Sequence, residues 1–304
     1  MDDAIFRKIR ENINGTVLSS EPLKNHTAYR VGGRAECLVK ALDSSDAEWV
    51  YRFARSESIP LTILGAGSNV IAPEEGVGGI VLKTWSDRGR IDFTDSSLVV
   101  SDAGIYLETM IKEAARRGLG GFDHVAGIPG TVGGAVVMNA GTRDGDTSGI
   151  LEYAEAVTPA GKVVRLENRE LSFGYRHSLF QGSDWLILRA AFRLRQADER
   201  KTLDLIGDVW KDRERKFPLE FPNAGSVFRR PQGDYAGRLI EDAGCKGLTV
   251  GGAKVSEKHA NFIVNSGGAT SRDITALIEE VRRRVYDRSG IYLELEQEIL
   301  DSLK

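Results

Sequence analysis

The sequence predicts an α+β protein of two lobes divided near residue 197. Three observations carry that expectation. Short strand-like runs bounded by turn residues fill much of the first part, a charged helical stretch covers 198–216, and the order then changes to loop, helix, strands, helix and strand. The 304 residues suffice for one large domain or two ordinary ones, and 41% hydrophobic residues are ample for a core.

In chain order, an extended segment over 35–39 comes first. A helix follows that Ser45-Asp46-Ala47-Glu48 opens as a capping box, with Trp49, Val50 and Phe53 at helical spacing until Pro60 forbids continuation. An apolar run over 61–64 ends at Gly65, and 79–83, 90–94 and 98–101 read as strands split by turn residues. Leu107, Met110, Ile111 and Ala114 restore the helical period over 106–117. The stretch 118–149 then holds ten of the 34 glycines. No regular element favours that density, so something there requires bare backbone. Segments 152–158 and 162–166 flank Pro159-Ala160-Gly161 as a hairpin, and 185–195 is a further strand.

On the charged helix, Leu203, Ile206 and Trp210 share one face, and a shorter helix covers 235–243. Ile274, Leu277, Ile278, Val281 and Val285 follow the stripe of a last helix that Thr270 and Asp273 can cap. Leu293 and Leu295 alternate with Glu294, Glu296 and Glu298, which in a strand projects all three carboxylates from one face.

Charge and composition exclude several classes. With 41 basic and 44 acidic side chains the net charge is -3, so there is no basic field. Neither nucleic acid nor an anionic membrane is expected as a partner, and no protein partner is implied. Cys37 and Cys245 lie far apart, outside Cys-x-x-Cys spacing, and fit two buried free thiols in a reducing compartment. Met1-Asp2-Asp3-Ala4 has neither a basic n-region nor an apolar h-region, and no apolar run approaches the ~18 residues of a membrane span, so a cytoplasmic protein is expected. His26, His124, His177 and His259 are too far apart for a helical ligand pair, and no metal site is expected.

Several loops have the composition of a site. Gly65-Ala66-Gly67-Ser68-Asn69-Val70 follows a strand, but it lacks the third glycine of a dinucleotide fingerprint and Pro73 blocks the following helix. It is either a tight turn or a phosphate loop. Gly127-Ile128-Pro129-Gly130-Thr131-Val132-Gly133-Gly134-Ala135 runs into a stretch with helical capacity. That suits a diphosphate met by free N–H groups at a helix N-terminus, or equally a close crossing of chain segments. Phe173-Gly174-Tyr175-Arg176 and Asn223-Ala224-Gly225-Ser226-Val227-Phe228 each set one polar side chain in an apolar, glycine-containing loop. The arginine can fork onto a carboxylate and the serine can pass a proton, or each is an ordinary loop residue. Arg213, Arg215 and Lys216 before Pro218 form either a solvated helix end or an anion clamp.

These segments, with His26-Thr27-Ala28-Tyr29-Arg30-Val31-Gly32-Gly33, Met138-Asn139-Ala140-Gly141 and His259-Ala260-Asn261-Phe262-Ile263-Val264-Asn265, resemble the UDP-N-acetylenolpyruvoylglucosamine reductase family in its shorter form. These are flavoenzymes of bacterial peptidoglycan precursor synthesis, and the likeness covers residues 20–300 in the family's order. It implies a two-lobed FAD-binding fold of the vanillyl-alcohol oxidase type over 1–197, its lobes split near 60. An α+β substrate-binding domain over 198–304 follows, whose last strand returns toward the flavin. FAD contacts are then expected from Gly65, Gly67, Ser68, Asn69, Gly127, Ile128, Gly130, Thr131, Gly133, Gly134, Asn139 and Ala140.

The resemblance also implies the chemistry. NADPH reduces FAD and is replaced by the enolpyruvyl ether of a UDP-sugar, whose vinyl carbon receives the hydride while charge builds at the carbon bearing the carboxylate. Arg176 is then the partner of that carboxylate and Ser226 the acid that protonates the second carbon. The third residue is a glutamate six positions after a glycine, which from Gly290 is Glu296. Leu293-Glu294-Leu295-Glu296-Gln297 lacks the family's proline and following valine, and Glu298 is the alternative register. Thr142-Arg143-Asp144 and Arg229-Arg230 also depart from the family's usual residues. Arg213, Lys216 and Arg230 are the candidates for the UDP diphosphate. The rival readings are an FAD-dependent oxidase of the same fold and a catalytically idle flavin or nucleotide-sugar binding protein.

Overall fold

The computed structural model describes residues 1–301 and divides into two units. The first takes Met1–Ser19, Cys37–Ala66 and Gly79–Lys211, while the second takes Ser20–Glu36, Gly67–Gly78 and the chain from Asp212 on. This grouping does not follow a linear cut at residue 197. The second unit draws two segments from ahead of that point, and the first runs past it to Lys211.

In the first unit, helices α1 (Asp3–Asn12) and α2 (Ser44–Ser56) bury Phe6, Ile9, Val50, Tyr51 and Phe53 in one core with Cys37, Val39, Ile80 and Leu82. The strand residues come from a sheet ordered Thr16–Pro22, Arg34–Lys40, Val77–Lys83, Leu61–Leu64, whose last two strands are parallel. The expected cap at Ser45 is displaced. Asp43 is the N-cap of α2, accepting from the N–H groups of Ser45 at 2.9 Å and Asp46 at 3.1 Å. A carboxylate at the positive end of a helix makes charge-assisted bonds that a serine hydroxyl does not. Asp46 is buried and turns back to the N–H groups of Asn14 and Leu42.

A second core of the same unit lies on an antiparallel sheet ordered Val163–Glu167, Leu151–Val157, Leu186–Arg193, Leu98–Asp102, Ile91–Phe93. The hairpin expected around residue 160 forms, closed by Thr158 N–H to the Lys162 carbonyl at 2.8 Å, with Gly161 at φ 76°. Helix α3 (Leu107–Arg116) contributes Met110, Ile111 and Ala114 to that core. The glycine-dense stretch supplies α4 (Val132–Val137), and α5 (Glu199–Lys216) adds Ile206, with Leu203 and Trp210 packed alongside.

The second unit has its own core under α6 (Ala236–Asp242) and α7 (Ser271–Ser289), with an antiparallel sheet ordered Thr249–Val250, Ala253–Val255, Ile263–Asn265. The capping box of α7 is reciprocal: Thr270 accepts from Asp273 N–H at 3.1 Å and Asp273 from Thr270 N–H at 2.9 Å. All five residues of its expected stripe are buried, and Gly290 ends it at φ 70°. The 293–299 segment is bonded at two places rather than along one continuous strand. Leu295 pairs with Phe228, and Glu298–Ile299 runs parallel to Val70–Ile71. Leu293 and Gln297 are buried, Glu294 is exposed, and Glu296 and Glu298 are half-buried. No helix of the described residues is long and apolar enough to cross a membrane.

Candidate active site

In the first unit, the 127–135 loop enters α4 with Gly127 at φ 73° and Gly130 at φ 145°. Thr131 caps the helix, its hydroxyl accepting from Gly134 N–H at 3.1 Å. The free helical N–H groups expected here are already engaged: Val132 donates to Ile105 O at 2.9 Å and Gly133 to Ala103 O at 2.8 Å. An anion at this loop is thus left to the N–H groups ahead of the helix, at Gly127, Gly130 and Thr131, which take no part in those bonds. A Cβ on Gly133 would stand 2.9 Å from Ala103 Cβ, so a chain crossing requires that glycine whether or not a cofactor does. Ile128 closes the preceding turn through Val125 O at 3.3 Å.

The turn after Leu61–Leu64 abuts the same loop. A Cβ on Gly65 would come within 2.8 Å of Thr131 Oγ1. Lys83, only 3% exposed, donates from Nζ to Gly65 O at 3.2 Å, and its ammonium lies 5.7 Å from the Trp85 ring. Burial, reinforced by the nearby Lys40, brings its pKa down from 10.5 to about 8. A buried cation at the lip of a glycine turn fits the charge of a dinucleotide diphosphate, and the sequence reading did not single it out. Its signal was a charged residue closing the apolar run Ile80-Val81-Leu82.

Asn139 and Arg176, both non-glycine residues at positive φ (41° and 52°), share a neighbourhood. Asn139 donates to Gly174 O at 2.9 Å and accepts from Ser148 N–H at 2.9 Å, while Ala140 N–H bonds Ala135 O at 2.8 Å. Gly174 and His177 exchange both backbone bonds, so Tyr175 and Arg176 form the tip of a two-residue turn. The Arg176 guanidinium donates to Gly141 O at 2.7 Å and lies over the Tyr175 ring at 5.1 Å. Left-handed backbone at an arginine is costly and persists only where its surroundings over-determine it.

In the second unit, Gly67 at φ 74° crosses the chain at His26, whose carbonyl would be 2.2 Å from an added Cβ, and Ala28 N–H bonds Gly67 O at 2.9 Å. Ser68 and Asn69 follow. Asn69 donates from Nδ2 to Glu296 O at 3.1 Å, and its own carbonyl accepts from Glu298 N–H at 2.9 Å. Glu296 N–H bonds Val227 O at 2.8 Å, so the segment carrying Ser226 adjoins the one carrying Glu296. Glu298 instead belongs to the pairing with Val70. On the far side Asn261 holds Phe228 through both its amide groups, at 3.0 and 2.9 Å.

Ser226 is half-buried, directly after Gly225 at φ 77°. Two further polar residues, Tyr29 and Gln297, are buried against this turn; the sequence motifs contain both but give neither a role. Of the basic candidates, Arg213 lies over Phe217 at 4.9 Å, Lys216 pairs with Asp212 at 2.6 Å, and the exposed Arg230 lies over Tyr235 at 5.1 Å. Among the described residues no group of His, Cys, Asp and Glu could hold a metal ion.

Comparison with known proteins identifies the family. Residues 35–167 match the FAD binding domain model, and 217–300 match the C-terminal domain of UDP-N-acetylenolpyruvoylglucosamine reductase. UDP-N-acetylenolpyruvoylglucosamine reductase 2 of Symbiobacterium thermophilum is 44% identical over 94% of this chain and 92% of its own. The enzyme of that name from Caldanaerobacter subterraneus is 37% identical over 99% of both. The crystal structure of UDP-N-acetylenolpyruvylglucosamine reductase from Thermus caldophilus superposes with a TM-score of 0.79 at 33% identity, covering 95% of this chain and 100% of that one. The expected fold class holds, an FAD-binding fold joined to an α+β C-terminal domain. The chain belongs to the UDP-N-acetylenolpyruvoylglucosamine reductase family and is an FAD-containing oxidoreductase.

Proposed function

We propose that the protein reduces the enolpyruvyl ether of UDP-N-acetylglucosamine-enolpyruvate to UDP-N-acetylmuramate in the cytoplasm, with NADPH as hydride donor. Residues 1–197 serve FAD and 198–304 serve mainly the UDP-sugar. The observation that carries this reading, beside the family relationship, is the antiparallel joining of 227–229 to 294–296. It brings the backbone of the Ser226 segment and that of Glu296 together. The two buried thiols, Cys37 and Cys245, support a reducing compartment.

FAD, when bound, supplies two-electron hydride exchange between NADPH and the vinyl carbon. On this reading the FAD contacts are those the family resemblance implies, Gly65, Gly67, Ser68, Asn69, Gly127, Ile128, Gly130, Thr131, Gly133, Gly134, Asn139 and Ala140, and Lys83, buried beside Gly65, offers a positive charge for the diphosphate. As the vinyl carbon gains hydride, the π electrons move to the carbon bearing the carboxylate. Arg176, fixed at its strained turn, offsets the charge that accumulates there. Ser226 gives its hydroxyl proton to that carbon and recovers one from water, so NADPH, a proton and the enol ether become NADP and the saturated product. Glu296, held by Val227 and Asn69, is the third polar residue of the site. Arg213, Lys216 and Arg230 take the UDP diphosphate, Lys216 by exchanging its ion pair with Asp212.

Anaerobic stopped-flow spectroscopy tests the proposal. NADPH should bleach the bound flavin and UDP-N-acetylglucosamine-enolpyruvate should restore it. A flavin indifferent to both reagents, or reoxidised by oxygen alone, would overturn the assignment in favour of an idle binding protein or an oxidase.

A further inference from the structure

Gln297 stands in the apolar phase of the last segment, flanked by the half-buried Glu296 and Glu298, yet it is only 3% exposed. Its carboxamide is fully engaged inside the second unit. Oε1 accepts from the Tyr29 hydroxyl at 3.1 Å, and Nε2 donates to Ala224 O at 3.1 Å and to Gly225 O at 3.3 Å. Tyr29 is completely buried, and desolvation pushes its hydroxyl well above the ordinary phenol range, so it stays protonated and donating. The two carbonyls that receive the amide belong to the peptides just before Ser226. Gly225 between them is at φ 77° with open space around its Cβ position, so the backbone conformation is what requires glycine there. Asn223 Oδ1 holds the same turn from the other side, through Gly225 N–H at 3.0 Å.

We propose that Gln297, anchored by Tyr29, is a positioning residue for the proton donor Ser226, orienting the 224–226 turn relative to Glu296. This rests on the assignment of Ser226 and Glu296 above. The Gln297 amide ties the two peptides leading into Ser226 to the residue that follows Glu296, and Glu296 N–H is itself bonded to Val227 O at 2.8 Å. A hydroxyl that must meet a developing carbanion contributes through reach and orientation, and a misplacement of about 1 Å can cost about 100-fold. A buried amide with every group satisfied holds such an orientation, because each alternative leaves a polar group unpaired. An apolar residue here would fill the volume but leave the Tyr29 hydroxyl and two carbonyls without their partner.

The test compares Gln297→Met, the double variant Tyr29→Phe with Gln297→Met, and Ser226→Ala in the FAD-loaded protein. Half-reactions are followed by anaerobic stopped flow in water and deuterium oxide, and stability by urea denaturation. Both Gln297 variants should reduce their flavin with NADPH within about 2-fold of wild type. They should slow the second half-reaction by about 10- to 100-fold, with an enlarged solvent isotope effect. The double variant, lacking the orphaned hydroxyl, should recover stability without recovering that rate, which separates positioning from folding and stands in if Gln297→Met alone does not fold. A second half-reaction within 2-fold of wild type, or restored along with stability, overturns the inference while Ser226→Ala stays slow. If Ser226→Ala is also unimpaired, the assignment of Ser226 falls and the inference with it.

Discussion

Replacing Lys83 by methionine should make the flavin-free protein more stable at pH 7 and weaken its grip on FAD. Lys83 is 3% exposed and its pKa falls from 10.5 to about 8, which at 1.36 kcal/mol per unit corresponds to about 3 kcal/mol of burial penalty. Losing the bond to Gly65 O returns about 1 kcal/mol, leaving the methionine variant ahead by about 2 kcal/mol at pH 7. The sign of the pH dependence follows from proton counts. Below pH 8 both folded and unfolded chains hold the proton and Lys83 contributes no slope. Between about 8 and 10.5 the unfolded chain holds a proton that the folded one has released, so wild-type stability rises with pH. Urea denaturation at pH 7, 8, 9 and 10 should show wild type overtaking the variant toward the alkaline end. Parallel profiles for the two proteins would refute the burial argument. Fluorescence titration should show FAD binding weakened about 10-fold in the variant, roughly 1.4 kcal/mol. An unchanged affinity would place the ammonium outside the field of the diphosphate.

Ser226→Ala should leave flavin reduction nearly intact and slow the second half-reaction by about 100-fold or more, the scale of a lost general acid; equal losses in both halves would reduce Ser226 to a supporting residue. Gly133→Ala should destabilise the protein by about 1 to 3 kcal/mol with or without FAD, because its Cβ would meet Ala103 Cβ at 2.9 Å. Loss confined to the FAD-loaded state would instead assign the glycine to the cofactor alone. Thr270→Ala should cost about 1 kcal/mol in urea denaturation by removing the acceptor for Asp273 N–H, and an unchanged midpoint would show that Asp273 caps the helix unaided.

The elements that could be read from sequence are those whose local signals agree. For α7 the cap pair, the five-residue stripe and the closing glycine all describe one helix, and that helix forms. The start of α2 could not be read in the same way, because Asp43, Ser45 and Asp46 all offer acceptors. The choice among them depends on Asn14, whose N–H engages Asp46 from 32 residues away in sequence. The units themselves are a long-range outcome. Ser20–Glu36 and Gly67–Gly78 join the C-terminal part through contacts such as Asn265 to Tyr29 O and Ser271 to Ala72 O, which no local pattern announces.

At the candidate site the same limit has a specific form. The glycines pointed to bare backbone, but Gly67 and Gly133 are demanded by chain crossings at His26 and Ala103, and the N–H of Gly133 is given to one of the crossing partners. Crossing and cradle are therefore compatible readings of one motif: the crossing holds α4 in place, and the loop ahead of the helix keeps the N–H groups that can meet an anion. Lys83 and Gln297 carry no local signal of a role, because each sits where the pattern calls for an apolar side chain, one closing a buried strand and the other in the inward phase of the last segment. A polar residue out of phase is costly to bury unless something receives it. Lys83 has Gly65 O, and Gln297 has Tyr29, Ala224 and Gly225. Both sets of partners border residues singled out for chemistry, Gly65 and Thr131 in one unit, Ser226 and Glu296 in the other. Departures from periodicity thus mark where a buried polar side chain finds backbone partners beside candidate residues, Lys83 in the first unit and Gln297 in the second.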